Sequence, residues 1–534
     1  MVLGELREHI RQAYKKVVQA EPPVFAIEPA KKPIFGDFST NVALVGAEPA
    51  GQAPVALAQK IVAELTAHQS FRSVNVATPG FINFTVTDDY LATTVAAILK
   101  SPDNFGKSDA GKETRVLLEY VSANPTGPLT LANGRGAFVG EAIARVLELY
   151  GCTVMREFYL NDTGTQVDHL GHSVLHGDDP AKQYSGPYVD ELRSRIKAKT
   201  DRDAGEEAVV IIMETMIKPV LRQLGINFHQ FFSEKSLHQT GVYKKTMDLL
   251  KLRGLTYDAD GATWLSTTRF GDSEDRVLVR SDGLPTYFAN DIAYHSYKIQ
   301  RGYHRLIWVG GADHFQYTRQ MNMVIEGVLR DHYTWGGQLD WVITQIVRLF
   351  EKGKEVKMSK RAGNYVALDE VLDEVGADVA RFFFLSRSVD SHLDFNFDIA
   401  KSSSSQNPVF YIQYAYARIS SIFREFSKEN EFELPEKIVL SQPAERQLLL
   451  RIIQFPDLVA ELSGSLEVHK LAHFATALAT DVHTFYEKLR VLGEPAEIAQ
   501  SRLAILKAAS ITVKRTLELM GISAPSKMVK EKST

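Results

Sequence analysis

Val116, Leu117, Leu118, Tyr120 and Val121 make a nearly unbroken apolar run, the pattern of a parallel strand buried on both faces. Asn124, Pro125, Gly127 and Pro128 end it, because proline offers no N–H to a ladder and glycine permits turns that other residues avoid. From about Gly134 the apolar positions Phe138, Ile143, Val146, Leu147 and Tyr150 recur at helical spacing, and Gly151 is a natural stop. The pattern predicts one strand, one tight loop and one helix. A helix that starts after such a loop presents unpaired N–H groups and a positive dipole end, which suits a phosphate. Gly134 and Gly136 would let a ligand approach the backbone. Strand–loop–helix units are common, so on this stretch alone a nucleotide site and a plain structural unit stay equally open.

The buried-strand pattern returns at 153–161 (TVMREFYLN), 305–314 (RLIWVGGADH) and 341–349 (WVITQIVRL), with helical patterns between. That alternation predicts an α/β region over 111–400 with a doubly wound parallel sheet, whose ligands sit beyond the carboxyl ends of the strands. An insertion between the runs at 153–161 and 305–314 contains WLSTTRF and DRVLVRSDGLPTYF, which read as hairpin strands around the Ser-Asp-Gly turn at 281–283. Ahead of the sheet, helical patterns near 3–20, 52–67 and 88–100 and alternating strands in SVNVATPG and FINFTV predict an α+β domain over 1–110. Beyond 400 the texture becomes long helical patterns near 409–427, 443–463, 466–490 and 495–520, predicting an α-helical bundle over 401–534.

Composition narrows the class. A chain of 534 residues with 45% hydrophobic and 24% charged positions is an ordinary globular protein with real cores. Its single cysteine, Cys152, excludes an intramolecular disulfide framework and a cysteine-cluster metal site, and fits a reducing, cytoplasmic setting. The amphipathic first twenty residues lack the apolar core of a signal peptide, and no stretch is apolar for a membrane-spanning length, so no membrane partner is expected. A net charge of −4 does not decide about nucleic acid, because binding a phosphate backbone needs only a local basic path.

Residues 351–364, EKGKEVKMSKRAGN, crowd Lys352, Lys354, Lys357, Lys360 and Arg361 around Gly353 and Gly363. Together with the strand–loop–helix unit, this stretch resembles the signatures of class I aminoacyl-tRNA synthetases. Lys357-Met358-Ser359-Lys360 matches the KMSK loop, and Thr130-Leu131-Ala132-Asn133 occupies the HIGH slot while departing from His-x-Gly-His. VSANPTGPL before the slot, GRGA after it, YLND at 159–162 and FGDFSTNVAL at 35–44 are similar to arginyl-tRNA synthetases of the bacterial type. So are TYFANDIAYH at 286–295, GADH at 311–314, NPVFYIQYAYARI at 407–419 and MGISAPSKM at 520–528, in order along essentially the whole chain.

The resemblance implies a class I Rossmann-like catalytic domain between an N-terminal domain that touches the tRNA and an anticodon-binding helical bundle. It also implies a ligase that joins L-arginine to arginine tRNA at the expense of ATP. The amino acid carboxylate attacks the α-phosphorus, and a ribose hydroxyl at the tRNA 3′ end then attacks the adenylate. Such chemistry asks the protein for positioning and for positive charge where negative charge grows. By resemblance, Lys357 and Lys360 clamp the phosphates with support from Ser359. Thr130 and Asn133 donate from a hydroxyl and an amide that carry no charge. Ala132 stands where a glycine meets the adenine, and Gly134, Gly311, Asp313, His314 and Met358 complete the ATP site. Magnesium is expected to arrive with ATP, with no protein-bound metal or organic cofactor.

For arginine, a guanidinium with a fixed fork of N–H donors calls for carboxylates. Asp291 is the implied bidentate partner with Tyr287 beside it, and Glu119, Ser122 and Asn124 point from the motif strand. For tRNA, Phe38 and Asn41 are implied in the N-terminal domain, although residues of these types there read equally as core and capping. In the bundle, Tyr411 and Tyr414 would stack on bases while Gln413 and Arg418 bond edges or phosphates. From spacing alone those tyrosines read as core at least as readily. His169, His172 and His176 share one helical face, but with no thiol nearby and no counterpart in the family's motifs a metal is not expected there. A monomer is implied. The alternative is a weakened or inactive paralogue that binds tRNA, favoured by the altered HIGH slot.

Overall fold

A computed structural model describes residues 2–30, 32–66, 69–180, 182–356, 366–402 and 406–528. Near the N-terminus, β1 (Ile27–Pro29), β2 (Phe38–Thr40), β3 (Phe71–Ala77) and β4 (Phe81–Val86) form an antiparallel sheet in the order β1-β2-β4-β3. The helices Val2–Val18 and Pro54–Leu65 pack on each other, and the second lies on β3. Phe38 pairs with Phe84 across the ladder, and both rings are fully buried. This corrects the expectation that Phe38 meets tRNA, since its ring has no free face. Asp37 beside it accepts from the Val86 N–H at 2.7 Å and from Arg446 Nη2 at 2.6 Å, tying this domain to the C-terminal helices.

The main sheet uses β5 (Arg115–Glu119), β6 (Thr153–Leu160) and β7 (Gln230–Ser233). A separate antiparallel insertion follows, β8 (Thr256–Ala259), β9 (Ala262–Leu265) and β10 (Arg276–Val279), and the chain then returns through β11 (Arg305–Gly311) and β12 (Gln338–Thr344). In the insertion β9 pairs with β10, while the Ser-Asp-Gly turn closes a single bridge from Val279 to Pro285. The order β12-β11-β5-β6-β7 is parallel throughout. Successive strands add on one side of β5 and then on the other, so the crevice at its carboxyl end is the topological switch point.

The run 341–349 does not make one strand. β12 stops at Thr344, and β13 (Val347–Glu351) joins a second sheet with β14 (Lys354–Val356) and β15 (Leu393–Asn396). Arg135 forces the break: completely buried, it donates to the carbonyl of Gln345 at 2.6 Å and to that of Ser388 at 2.8 Å. The helix after the motif loop also starts earlier than its apolar spacing suggests, spanning Leu131–Leu149. Gly140 lets it sit on the strand end, because a Cβ there would meet the Tyr120 ring at 2.4 Å.

The C-terminal helices are Pro408–Phe426, Pro443–Ile452, Phe455–Ser465, His469–Lys488 and Ala496–Met520. The expected helix over 443–463 is two, interrupted at Gln454 just before Pro456, whose nitrogen cannot donate to the preceding turn. Among the described residues no helix is long and apolar enough to cross a membrane.

Candidate active site

At the carboxyl end of β5 the chain turns through left-handed backbone at Val121 (φ 66°) and Ser122 (φ 39°). A β-branched residue there costs on the order of 1–3 kcal/mol, a strain that persists only where the surroundings impose it. The turn carries Ser122 and Asn124 over a cavity of about 500 Å³ at the switch point. Ser122 Oγ donates to Glu119 at 3.1 Å and accepts from the Tyr159 N–H at 3.1 Å, locking β5 to β6. Asn124 Oδ1 accepts from Asn161 Nδ2, while the buried Asn161 Oδ1 has no partner among the described residues.

Two carboxyl groups dominate one end of the cavity. Asp291 comes from the helix Tyr287–Gln300, and Glu234 opens the short helix after β7. Burial pushes Asp291 up to about 7, helped by the nearby Glu234 and Glu119 charges and opposed by the Tyr317 hydroxyl and Lys298. Burial pushes Glu234 up to about 7 as well, against the Asn290 amide bond that favours its charge. Asn290 Nδ2 lies 2.6 Å from Glu234 Oε1, and its own oxygen meets His238 at 3.1 Å, so the Glu234 carboxyl is held in one orientation. The raised values reflect carboxyls withdrawn from solvent, beside a Lys298 that is already paired with Glu119. Glu119 differs, because its charge is already matched by the buried Lys298. Tyr287 stands at the rim, half exposed.

The other end is formed by the start of the helix Leu131–Leu149 and the end of β11. Thr130 is the N-cap, and Thr130 with Asn133 makes a reciprocal capping box. Asn133 Oδ1 accepts from the Thr130 N–H at 2.9 Å and from its hydroxyl at 2.8 Å. The backbone N–H fixes the amide's orientation, so the Nδ2 hydrogens are the group Asn133 has left for the cavity. Ala132 and Asn133 line the cavity, and Thr130 caps behind them. Gly134 corrects an expectation: a Cβ there would strike Leu368 at 2.7 Å, so it faces protein packing. Gly136 is the glycine on the cavity wall, where an added Cβ would meet nothing within 4 Å. Gly311, Asp313 and His314 lie opposite, with the His314 ring against Trp308 and Tyr317.

The structure therefore brings together Glu119, Ser122, Asn124, Tyr287, Asp291, Ala132, Asn133, Gly311, Asp313 and His314. Sequence reading missed Glu234, Tyr159, Asn161 and Tyr317, and named Gly136 only alongside Gly134. Glu234 in particular reads as an ordinary helix-opening acid, and only its approach to Asn290 sets it apart. Lys357, Met358, Ser359 and Lys360 lie outside the described residues.

The comparisons with known proteins agree along the whole chain. Residues 4–86 match the arginyl tRNA synthetase N-terminal domain, 94–210 and 206–383 the catalytic domain of class I (R) tRNA synthetases, and 412–528 the DALR anticodon binding domain. The chain is 39% identical to the arginine–tRNA ligase of Heliobacterium modesticaldum, covering 96% of each. This protein belongs to the arginyl-tRNA synthetase family. It is similar to the arginyl-tRNA synthetase structure from Campylobacter jejuni, with TM-score 0.76 and 30% identity over 83% of this chain and all of that one. The Thermus thermophilus arginyl-tRNA synthetase shares the fold at TM-score 0.77 and 22% identity over 99% of this chain and all of that one.

In the region of this synthetase matching the anticodon-binding domain, the helix Pro408–Phe426 divides its polar residues between two jobs. Arg418 lies between the rings of Tyr414 (4.6 Å) and Tyr486 (4.3 Å) in a cleft of about 490 Å³ that also presents Arg424 and Lys527. Tyr411 instead packs on His483, and the Gln413 amide is occupied by Asp378 at 2.9 Å and the Ser523 carbonyl at 3.0 Å. Gln413 is thus a tie between regions, which corrects its expected role at a base edge. Asn41 is likewise occupied, its Oδ1 accepting from the Ala26 N–H at 2.8 Å.

Proposed function

We propose that this protein is an arginine–tRNA ligase that activates L-arginine with magnesium-bound ATP and transfers it to the 3′ end of arginine tRNA. The observation that carries the reading is the pair of buried carboxyls, Glu234 and Asp291, at the switch point beside the motif helix. A guanidinium between them satisfies both acids and the orphaned Asn161 oxygen, and draws the acids back to their charged forms. The arginine carboxylate then lies toward Asn133 and the start of the motif helix, where the helix dipole and the Asn133 amide favour negative charge.

In this reading residues 1–110 and 401–534 serve tRNA, and 111–400 serve the chemistry. Tyr414, Arg418 and Tyr486 form a stacking site for an unpaired base, with Arg424 and Lys527 toward phosphate. Lys357, Ser359 and Lys360 act on the pyrophosphate leaving group. The chain works as a cytoplasmic monomer. The test is charging of arginine tRNA with each amino acid in turn, alongside arginine-dependent exchange of labelled pyrophosphate into ATP with and without that tRNA. Arginine alone should be charged, and exchange should need all components. Tight tRNA binding with no exchange under any condition would instead mark an inactive paralogue.

A further inference from the structure

We propose a zinc-type divalent metal site at His172, His176 and Asp201, on the insertion between β6 and β7. His172 lies in the helix Thr165–Leu175, His176 caps its end one turn on, and Asp201 opens the helix Asp201–Ile212. His172 Nδ1 is 2.9 Å from Asp201 Oδ2, His176 Nε2 is 3.3 Å from Asp201 Oδ1, and the ligand atoms all lie within 4.8 Å of one another. Ligands held about 2.0–2.2 Å from a tetrahedral zinc are separated by roughly 3.3 Å, and the two imidazole–Asp201 separations are close to that spacing.

Three further observations favour a built site over a chance cluster. Asp179 Oδ2 sits 3.1 Å from His172 Nε2, the ring nitrogen that faces away from the centre. An outer carboxylate of that kind fixes the tautomer and orientation of a metal-bound imidazole. The separation of the two helices is set independently of the histidines: a Cβ at Gly171 would lie 1.7 Å from the Asp201 carbonyl oxygen, and one at Gly205 would lie 2.1 Å from that of Val167. Finally, the ligand side chains are 32–54% exposed, so an ion can enter and solvent can complete its coordination. Two imidazoles and one carboxylate suit zinc, cobalt or nickel better than calcium or magnesium. Asp201 is far from the histidines in sequence, which is why their spacing alone gave no metal site. His169 takes no part in it.

The test is competition between the chelator-stripped full chain and a chromogenic zinc chelator, for wild type, His172→Ala, Asp201→Asn, Asp179→Asn and His169→Ala. Wild type and His169→Ala should hold one more zinc equivalent than His172→Ala or Asp201→Asn. Asp179→Asn should keep that equivalent about tenfold more weakly. If His172→Ala does not fold, Asp201→Asn, which keeps the side chain's size, carries the comparison. X-ray absorption of the loaded protein should show imidazole scattering from two rings. Equal zinc retention by wild type and Asp201→Asn, or a bound ion without imidazole scattering, would overturn the site and leave His172 as an ion-pair partner of Asp179 and Asp201.

Discussion

The two ends of the central cavity are built in opposite ways. At one end, acids withdrawn from solvent are fixed in place by neighbours: Glu234 by Asn290 and His238, Asp291 beside Tyr317. At the other, Ala132, Asn133 and Gly136 supply shape, a helix start and one amide, with no charge of their own. In the proposed reading, specificity comes from the Glu234 and Asp291 carboxyls, which a cationic side chain pairs. The nucleotide, in the same reading, meets a helix start that the Thr130–Asn133 capping box stabilises.

The sharpest way to break the contrast is at the acid end. Asp291→Ala removes one partner of a buried charge pair, worth about 3–5 kcal/mol, and should cut kcat/KM for arginine by roughly 10²–10⁴-fold in the charging assay. Glu234→Gln keeps the shape and loses a charge-assisted bond of about 1.5–3 kcal/mol, so its loss should be roughly 10–100-fold and fall mainly on the arginine KM. A Glu234→Gln enzyme with unchanged arginine kinetics would remove the pairing from the explanation.

At the nucleotide end, Asn133→Ala should raise the KM for ATP by roughly tenfold, one amide hydrogen bond, while leaving that for arginine in place. Thr130→Val deletes the cap acceptor and should lower stability by about 1 kcal/mol, read as a small drop in Tm. Installing Thr130→His with Asn133→His should cost stability through the lost capping box; unchanged Tm in that double variant would show that the box contributes nothing.

The main sheet and the motif helix were legible because their apolar runs carry the whole signal: β5 and β6 fall where the pattern places them. What failed depended on contacts between distant residues. Arg135 splits the run 341–349 by holding the carbonyls of Gln345 and Ser388, and no local pattern records that. Gly134 and Gly136 are indistinguishable in sequence, and only Leu368, packed against the first, tells which one faces the ligand. Phe38 was placed at tRNA by resemblance alone, and its partner across the ladder, Phe84, bears out the core reading of its residue type. Most of the residues that resemblance supplied for arginine reached the cavity, whereas Glu234 needed three dimensions.

The pH dependence of the empty protein follows from the same acids. Their folded values near 7 exceed the unfolded carboxyl value of about 4. Their contribution to stability is therefore present below about pH 4 and lost as pH rises through 7. Arginine restores it, so the thermal shift it produces should be larger at pH 8 than at pH 5.5.

The most direct measurement is calorimetry of arginine binding at pH 6 and pH 8.5 in buffers of different ionisation enthalpy, with citrulline as the uncharged comparison. Proton release on binding arginine at pH 6, little at pH 8.5 and no binding of citrulline are the expected results. Proton-neutral arginine binding at both pH values, or citrulline bound as well as arginine, would contradict recognition by a pair of buried, proton-holding carboxyls.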